Sequence, residues 1–439
     1  MLTRICLGLA LLVAMPLWSQ VEPSATGPAQ TSGDPMQTPP PVSGESYPTA
    51  TGSETRSNEL SGGLSFETAY DDNVLNTANG TQIADFSYSI RPTIAFDQTT
   101  GRLHNTFSYS PGFTFYQQTS ARNEADQSAS AKSQYRLSPH ISLSLLDMFQ
   151  KSTNVFNQPF GGVSGSTSAP VDAVIAPFAS QLGNTANASL SYQFSRNGMV
   201  GGGGSSSIVN YLNPAQAPGI PNSNSRSGSG FYNLRLSSNQ YIGINYQYSW
   251  TISSGASGGS ETKVESIYSF YTLYLKHALS LSVSGGPQHF DVTQPSIPES
   301  ASWTPAVDAS MSWQSSHSSI SASYSRTVSG AGGLVGAFKT STASASVRQQ
   351  WTRTWTTGCA VSYSIETNVV PAIFGSSPGG HTISGSASIE HQITERLSAE
   401  AGYARLNQAY TGIAVISANP DSDREYISIS YHFARPLGR

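Results

Sequence analysis

Residues 241–252 read YIGINYQYSWTI. Ile242, Ile244, Tyr246, Tyr248, Trp250 and Ile252 share one parity, and Gly243, Asn245, Gln247, Ser249 and Thr251 share the other. Successive side chains of a strand point to opposite faces, so one face is apolar and aromatic while the other is polar and uncharged. The pattern returns along the chain. Phe86, Tyr88, Ile90, Ile94 and Phe96 oppose Ser87, Ser89, Arg91 and Thr93; Trp355, Cys359, Val361, Tyr363 and Ile365 oppose Thr356, Gly358, Ser362, Ser364 and Glu366. Leu279, Leu281 and Val283 oppose Ser280, Ser282 and Ser284. A soluble β-sandwich also alternates, but its wet face carries charge rather than serine. Here only 11% of the 439 residues are Asp, Glu, Lys or Arg, against roughly 25% in an ordinary soluble chain. Past residue 20 no apolar run approaches the roughly 20 residues of a membrane helix. The 10% aromatic content argues against disorder throughout. Lipid on one face and water on the other is the pattern of a transmembrane β-barrel.

The connections agree. Tight turns are expected at 97–101, 138, 197, 239, 277, 315–316, 353 and 395. Longer segments are expected at 71–82, 118–123, 153–182, 212–224, 254–259, 291–301, 330–337, 367–378 and 409–423. Short periplasmic turns alternating with longer outer loops are characteristic of bacterial outer-membrane barrels. The spacing predicts one all-β antiparallel barrel over 60–433 with about 18 strands. The count falls to 16 if the glycine-rich, weakly patterned 198–211 does not pair. An even number places both termini in the periplasm.

The barrel is preceded by two other segments. Met1 to Arg4 is a short positive start, and residues 5–17 (ICLGLALLVAMPL) form a core of secretory-signal length, too short to span a membrane. Residues 1–20 are therefore expected to be a signal peptide. Residues 21–59 hold seven prolines, including Pro39-Pro40-Pro41, and do not alternate, which predicts a disordered periplasmic leader. Without its signal the chain keeps one cysteine, Cys359, so no internal disulfide is expected. A net charge of −4 offers no field for nucleic acid.

At the other end, Ile427, Ile429, Tyr431 and Phe433 share a face against Ser428, Ser430 and His432. This resembles the closing strand of outer-membrane barrels, whose aromatic end is read by the barrel-assembly machinery; here a tail, 434–439, follows the Phe. The opening stretch Leu64 to Tyr70, followed by Asp71-Asp72-Asn73-Val74, is similar to the first strand of β-barrel porin families of bacterial outer-membrane proteins. Some members of those families accompany exopolysaccharide and exosortase gene clusters. The resemblance implies an outer-membrane location, and small hydrophilic solutes or a polysaccharide as cargo. On the residues alone, Asp71-Asp72-Asn73 also reads as an ordinary turn, where Asp and Asn are favoured.

No catalytic signature emerges. The eight histidines are scattered, and no HExxH, DxDxDG or GxxxxGK[ST] pattern occurs. Gly201 to Gly204 is followed by no helix, so it reads as strand or turn rather than a phosphate cradle. No catalytic residue, cofactor or metal is expected. Parity instead predicts charges in the lumen. Glu67, Arg91, Arg235, Asp308, Arg348, Glu366, Glu390 and Glu400 are the pore-lining candidates, with Glu124, Asp126, Lys132 and Arg136 also inward. Charge of both signs suits a weakly selective pore, or alternatively pairs across strands and stabilises the wall. Trp303, Trp351, Trp355 and Tyr241 suit interfacial girdles. Three functions follow: a diffusion porin, a component of exopolysaccharide export or assembly, or a structural barrel closed by the loop 153–182.

Overall fold

The computed structural model describes residues 57–75, 82–153, 179–213, 220–255, 258–275, 279–295, 297–330, 336–369, 379–411 and 420–437. The expected signal and nearly all of the leader lie outside these residues. The strands are β1 (Ser57–Asp71), β2 (Asp85–Thr99), β3 (Leu103–Tyr116), β4 (Glu124–Ser138), β5 (Ile141–Ser152) and β6 (Gln181–Gln193). They continue as β7 (Gly198–Tyr211), β8 (Asn222–Ser237), β9 (Gln240–Gly255), β10 (Gly258–Leu275), β11 (Leu279–Gln294) and β12 (Ile297–Gln314). The last are β13 (Ser318–Ser329), β14 (Phe338–Gln350), β15 (Trp355–Asn368), β16 (Gly379–Gln392), β17 (Leu397–Thr411) and β18 (Asp421–Pro436). Each pairs antiparallel with its neighbours in sequence, and β18 returns to β1, so the 18-stranded sheet closes on itself. Closure satisfies the backbone without a free sheet edge facing lipid, as a membrane-spanning sheet requires.

The alternation read from the sequence is the alternation of the wall. Phe66, Ile90, Phe113, Ile244, Tyr246, Val361 and Ile429 are exposed on the outer face, while Ser87, Ser89, Asn245, Thr251 and Ser282 are buried on the inner one. The glycine-rich 198–211 is a full strand, which fixes the count at 18 rather than 16. Gly201 has to be glycine because a Cβ there would lie 2.4 Å from the Phe231 ring and 2.7 Å from the Leu190 carbonyl.

The seam between the first and last strands is tied at the long-loop end by the motif that opens the barrel. Asp71 accepts hydrogen bonds from the Ser422 hydroxyl at 2.8 Å and the Asn73 N–H at 3.0 Å. The Asn73 amide donates to the Asp421 carbonyl at 2.9 Å. Asp72 accepts from the Asp423 N–H at 2.7 Å and returns its own N–H to the Asp423 carbonyl at 3.1 Å. Burial, and then the charges of Asp423 and Asp421, hold the Asp72 carboxyl above the usual carboxylate range, against the opposing pull of the Asp423 N–H and Arg405. Asp71-Asp72-Asn73 is thus both a turn and the latch of the closure.

Three expectations need correction. Segments 254–259 and 291–301 are not long loops, because β9–β10 and β11–β12 are joined by two residues each. Gly and Ser serve strands and loops alike here, and the strands run on through them. Tyr241 does not belong to the outer girdle: it is 1% exposed and packs with Met199, Phe231 and Tyr274 on the inner side. Trp303, at 66% exposure, does face outward, as do Trp351 and Trp355. Finally, β18 continues past Phe433, with Ala434 and Arg435 pairing with Ser61 and Leu60. Not every charge is turned inward either. Asp147 shares the outer parity of Leu143 and Leu145 and is held by the Asn184 amide at 2.9 Å.

Candidate functional site

The inner wall is built from hydroxyl groups placed by strand parity and paired by register. Ser89 and Thr114 lie 2.9 Å apart, and Ser142–Ser191, Thr272–Ser282, Ser321–Ser346 and Ser323–Ser344 each 2.7 Å. A hydroxyl both donates and accepts, so neighbouring strands satisfy one another and can still exchange partners with water. The β13–β14 pairs are half-buried and open to water, whereas Ser89, Thr114, Thr272 and Ser282 are buried.

The charged candidates fall into separate groups on this wall. Glu67 takes the Arg424 guanidinium at 2.6 Å across the β1–β18 seam, with Arg424 only 5% exposed and Glu67 28%. Arg91 lies over Gly112 towards Asp126, where a Cβ on Gly112 would stand 3.3 Å from the Arg91 Nε. Asp308 is buried and accepts from the Ser284 hydroxyl at 3.4 Å. Glu366 is buried and accepts from the Thr340 hydroxyl at 3.3 Å. Arg235 sits at the short-turn end and donates to the Ser237 carbonyl at 3.2 Å, capping its own strand. Arg348, Glu390 and Glu400 come together. Glu390 and Glu400 are directly opposed in register on β16 and β17. Arg348 reaches across β15 to within 3.7 Å of Glu390, and the Tyr426 hydroxyl donates to Glu400 at 2.8 Å. The alternative of wall-stabilising ion pairs therefore describes Glu67 and part of the Arg348 cluster. Arg424 was missed by the sequence reading, although its even parity matches the inward Ser428 and Ser430.

A second feature carries no sequence signal. Above the pair Val307–Arg326, β13 leaves β12 while staying paired with β14. The departing end crosses onto the inner face of β10 and β11. There the Gln288 side chain, 2% exposed, stands in for a neighbouring strand. Its Oε1 accepts from the Val328 N–H at 2.7 Å, and its Nε2 donates to the Val328 carbonyl at 3.3 Å and the Ser266 hydroxyl at 3.1 Å. Val328 packs against Val264, Phe290 and Val292, all inner-wall residues, and against Ala337. The Ser253 hydroxyl donates to the Gly330 carbonyl at 3.2 Å, and the Gly336 N–H donates to the Ser260 hydroxyl at 3.0 Å. Both ends of the β13–β14 connection thus lie inside the barrel and narrow its long-loop mouth. The sequence had placed an inward constriction in 153–182, and residues 154–178 of that loop are outside the described part of the chain.

No protein-family model matches the chain, and no curated protein matches it. Among solved structures, the chain is similar to Acinetobacter baumannii OccAB4, with 9% identity, a TM-score of 0.44, and 86% of this chain and 98% of that one covered. It is similar to Pseudomonas aeruginosa OpdO at 12% identity and a TM-score of 0.42, covering 86% and 97%. The siderophore receptor PirA from Pseudomonas aeruginosa gives 12%, 0.41, 85% and 80% in the same order.

Proposed function

We propose that the chain forms a water-filled outer-membrane channel of low selectivity for small hydrophilic solutes, with its short turns in the periplasm. The observation that carries this is the inner wall: a closed 18-stranded barrel lined by paired hydroxyls and by charges of both signs. A barrel of that size leaves room for an aqueous channel, and such a lining favours water over a dry core. A loop-closed barrel is the second reading, favoured by the inward ends of the β13–β14 connection. Export of an exopolysaccharide, which the family resemblance implies, would need that mouth to open.

The opposed carboxylates give a test of ion preference. Glu390→Lys with Glu400→Lys should shift the zero-current potential in a salt gradient toward anions. Like charges face each other across β16 and β17 in both the parent and the double variant, but Arg348 exchanges its attraction to Glu390 for repulsion, so heat-modifiable gel migration has to show first that the variant folds. An unchanged reversal potential in a conducting double variant would remove this pair from the conduction path.

A further inference from the structure

At the short-turn mouth two guanidinium groups have no ion-pair partner among the described residues. Arg353 sits in the β14–β15 turn and Arg396 in the β16–β17 turn. Both turns are built alike. The Thr352 hydroxyl accepts from the N–H groups of Thr354 and Trp355 at 3.2 and 3.1 Å. The Thr394 hydroxyl accepts from those of Arg396 and Leu397 at 3.3 and 3.1 Å. Outside the wall, Trp355 stacks on His391 with ring centroids 4.1 Å apart, which fixes the first turn at the rim. The arginines therefore project from set turns rather than loose loops.

With Arg348, Glu390, Glu395 and His432 they line a cavity of about 260 Å³ opening at this end of the lumen. Three guanidinium groups face two carboxylates there, and the one ion pair among them, Arg348–Glu390, is long at 3.7 Å. Among the described residues, most of the hydrogen-bonding capacity of the guanidinium groups is unspent. A guanidinium is a planar fork that matches carboxylate and phosphate oxygens two at a time. Arg353 and Arg396 are exposed, so a solute carrying such a group would meet donors from both turns at the rim of this cavity.

We propose that this cavity is an oxyanion subsite at the periplasmic mouth, taking the carboxylate or phosphate group of a permeating solute. That the ligand permeates rests on the channel reading; that the cavity binds it does not. The test is titration calorimetry on the folded barrel in zwitterionic detergent at low salt, with pyrophosphate and citrate as separate probes. Saturable binding of either probe is expected, and which one binds more tightly identifies the phosphate or the carboxylate source. Arg353→Gln with Arg396→Gln should weaken binding about tenfold or more, as loss of charge-assisted hydrogen bonds implies. Arg102→Gln, in another short turn, should leave it unchanged. A second measurement needs no variant: bound pyrophosphate or citrate should protect Arg353 and Arg396 from phenylglyoxal, read by peptide mass spectrometry. Absence of saturable binding by folded protein, or equal weakening in Arg102→Gln, would overturn the subsite. Binding without bilayer current would keep the subsite and defeat the channel, and current without binding would do the reverse.

Discussion

Replacing Gln288 with Leu should enlarge the single-channel current of the barrel while leaving it folded. Leucine fills similar space but can neither accept from the Val328 N–H nor donate to the Val328 carbonyl, two of the bonds that hold the end of β13 on the inner wall. The orphaned Val328 N–H would cost roughly 1–3 kcal/mol, while the Val328 carbonyl keeps the Thr327 hydroxyl at 3.2 Å. That penalty is set against the apolar contacts of Val328 and Ala337 and the Ser253–Gly330 and Gly336–Ser260 hydrogen bonds, which the substitution leaves in place. It is also avoidable. The end of β13 has already left β12 and can turn back into the aqueous mouth, where water satisfies both groups. Release rather than unfolding is the cheaper response, so the mouth should widen and current steps should grow. Gel migration before and after heating checks the fold, and bilayer recording checks the step. Steps of unchanged size in a folded variant would show that this segment does not limit the pore.

Arg424→Gln should be the most destabilising single substitution of an inner-wall charge. Its guanidinium is almost fully buried and holds Glu67 across the seam where the last strand meets the first. Removing one partner of a buried ion pair typically costs about 3–5 kcal/mol, and because Glu67 keeps 28% exposure the expected loss is nearer 2–3 kcal/mol. Glu67→Gln combined with Arg424→Gln should recover part of that loss, since Glu67 is then no longer a carboxylate without its partner; the rest stays because the buried Asp71 still loses the nearby Arg424 charge. Urea unfolding of the refolded protein in lipid vesicles measures both. If the double variant were as unstable as the single one, the cost would belong to the packing of Arg424 and not to its charge.

Strand identity was legible because lipid and water impose opposite demands on alternate residues. The stretch 198–211 was weakly patterned because its glycines carry no side chain to alternate, and one of them, Gly201, leaves room for Phe231. Parity likewise puts Glu390 and Glu400 on one face. It could not supply partners. Glu67 and Arg424 meet only because the barrel closes, 357 residues apart in sequence. Nor could it show β13 leaving the wall, since Val328 keeps the alternation of its strand while packing on the inside of others. Tyr241 was misplaced for a related reason. An aromatic residue near a strand end suits a lipid interface, but parity with Gly243 and Asn245 set it inward. Arg353 and Arg396 were invisible as a pair because two separate turns bring them to one cavity.

Planar-bilayer recording on the refolded chain, with folding confirmed by heat-modifiable gel migration, tests most directly whether this lumen is an open aqueous path. A hydroxyl-lined, mixed-charge channel should give stepwise current and a reversal potential near zero in a salt gradient. A bilayer that stays silent with correctly folded protein would contradict it.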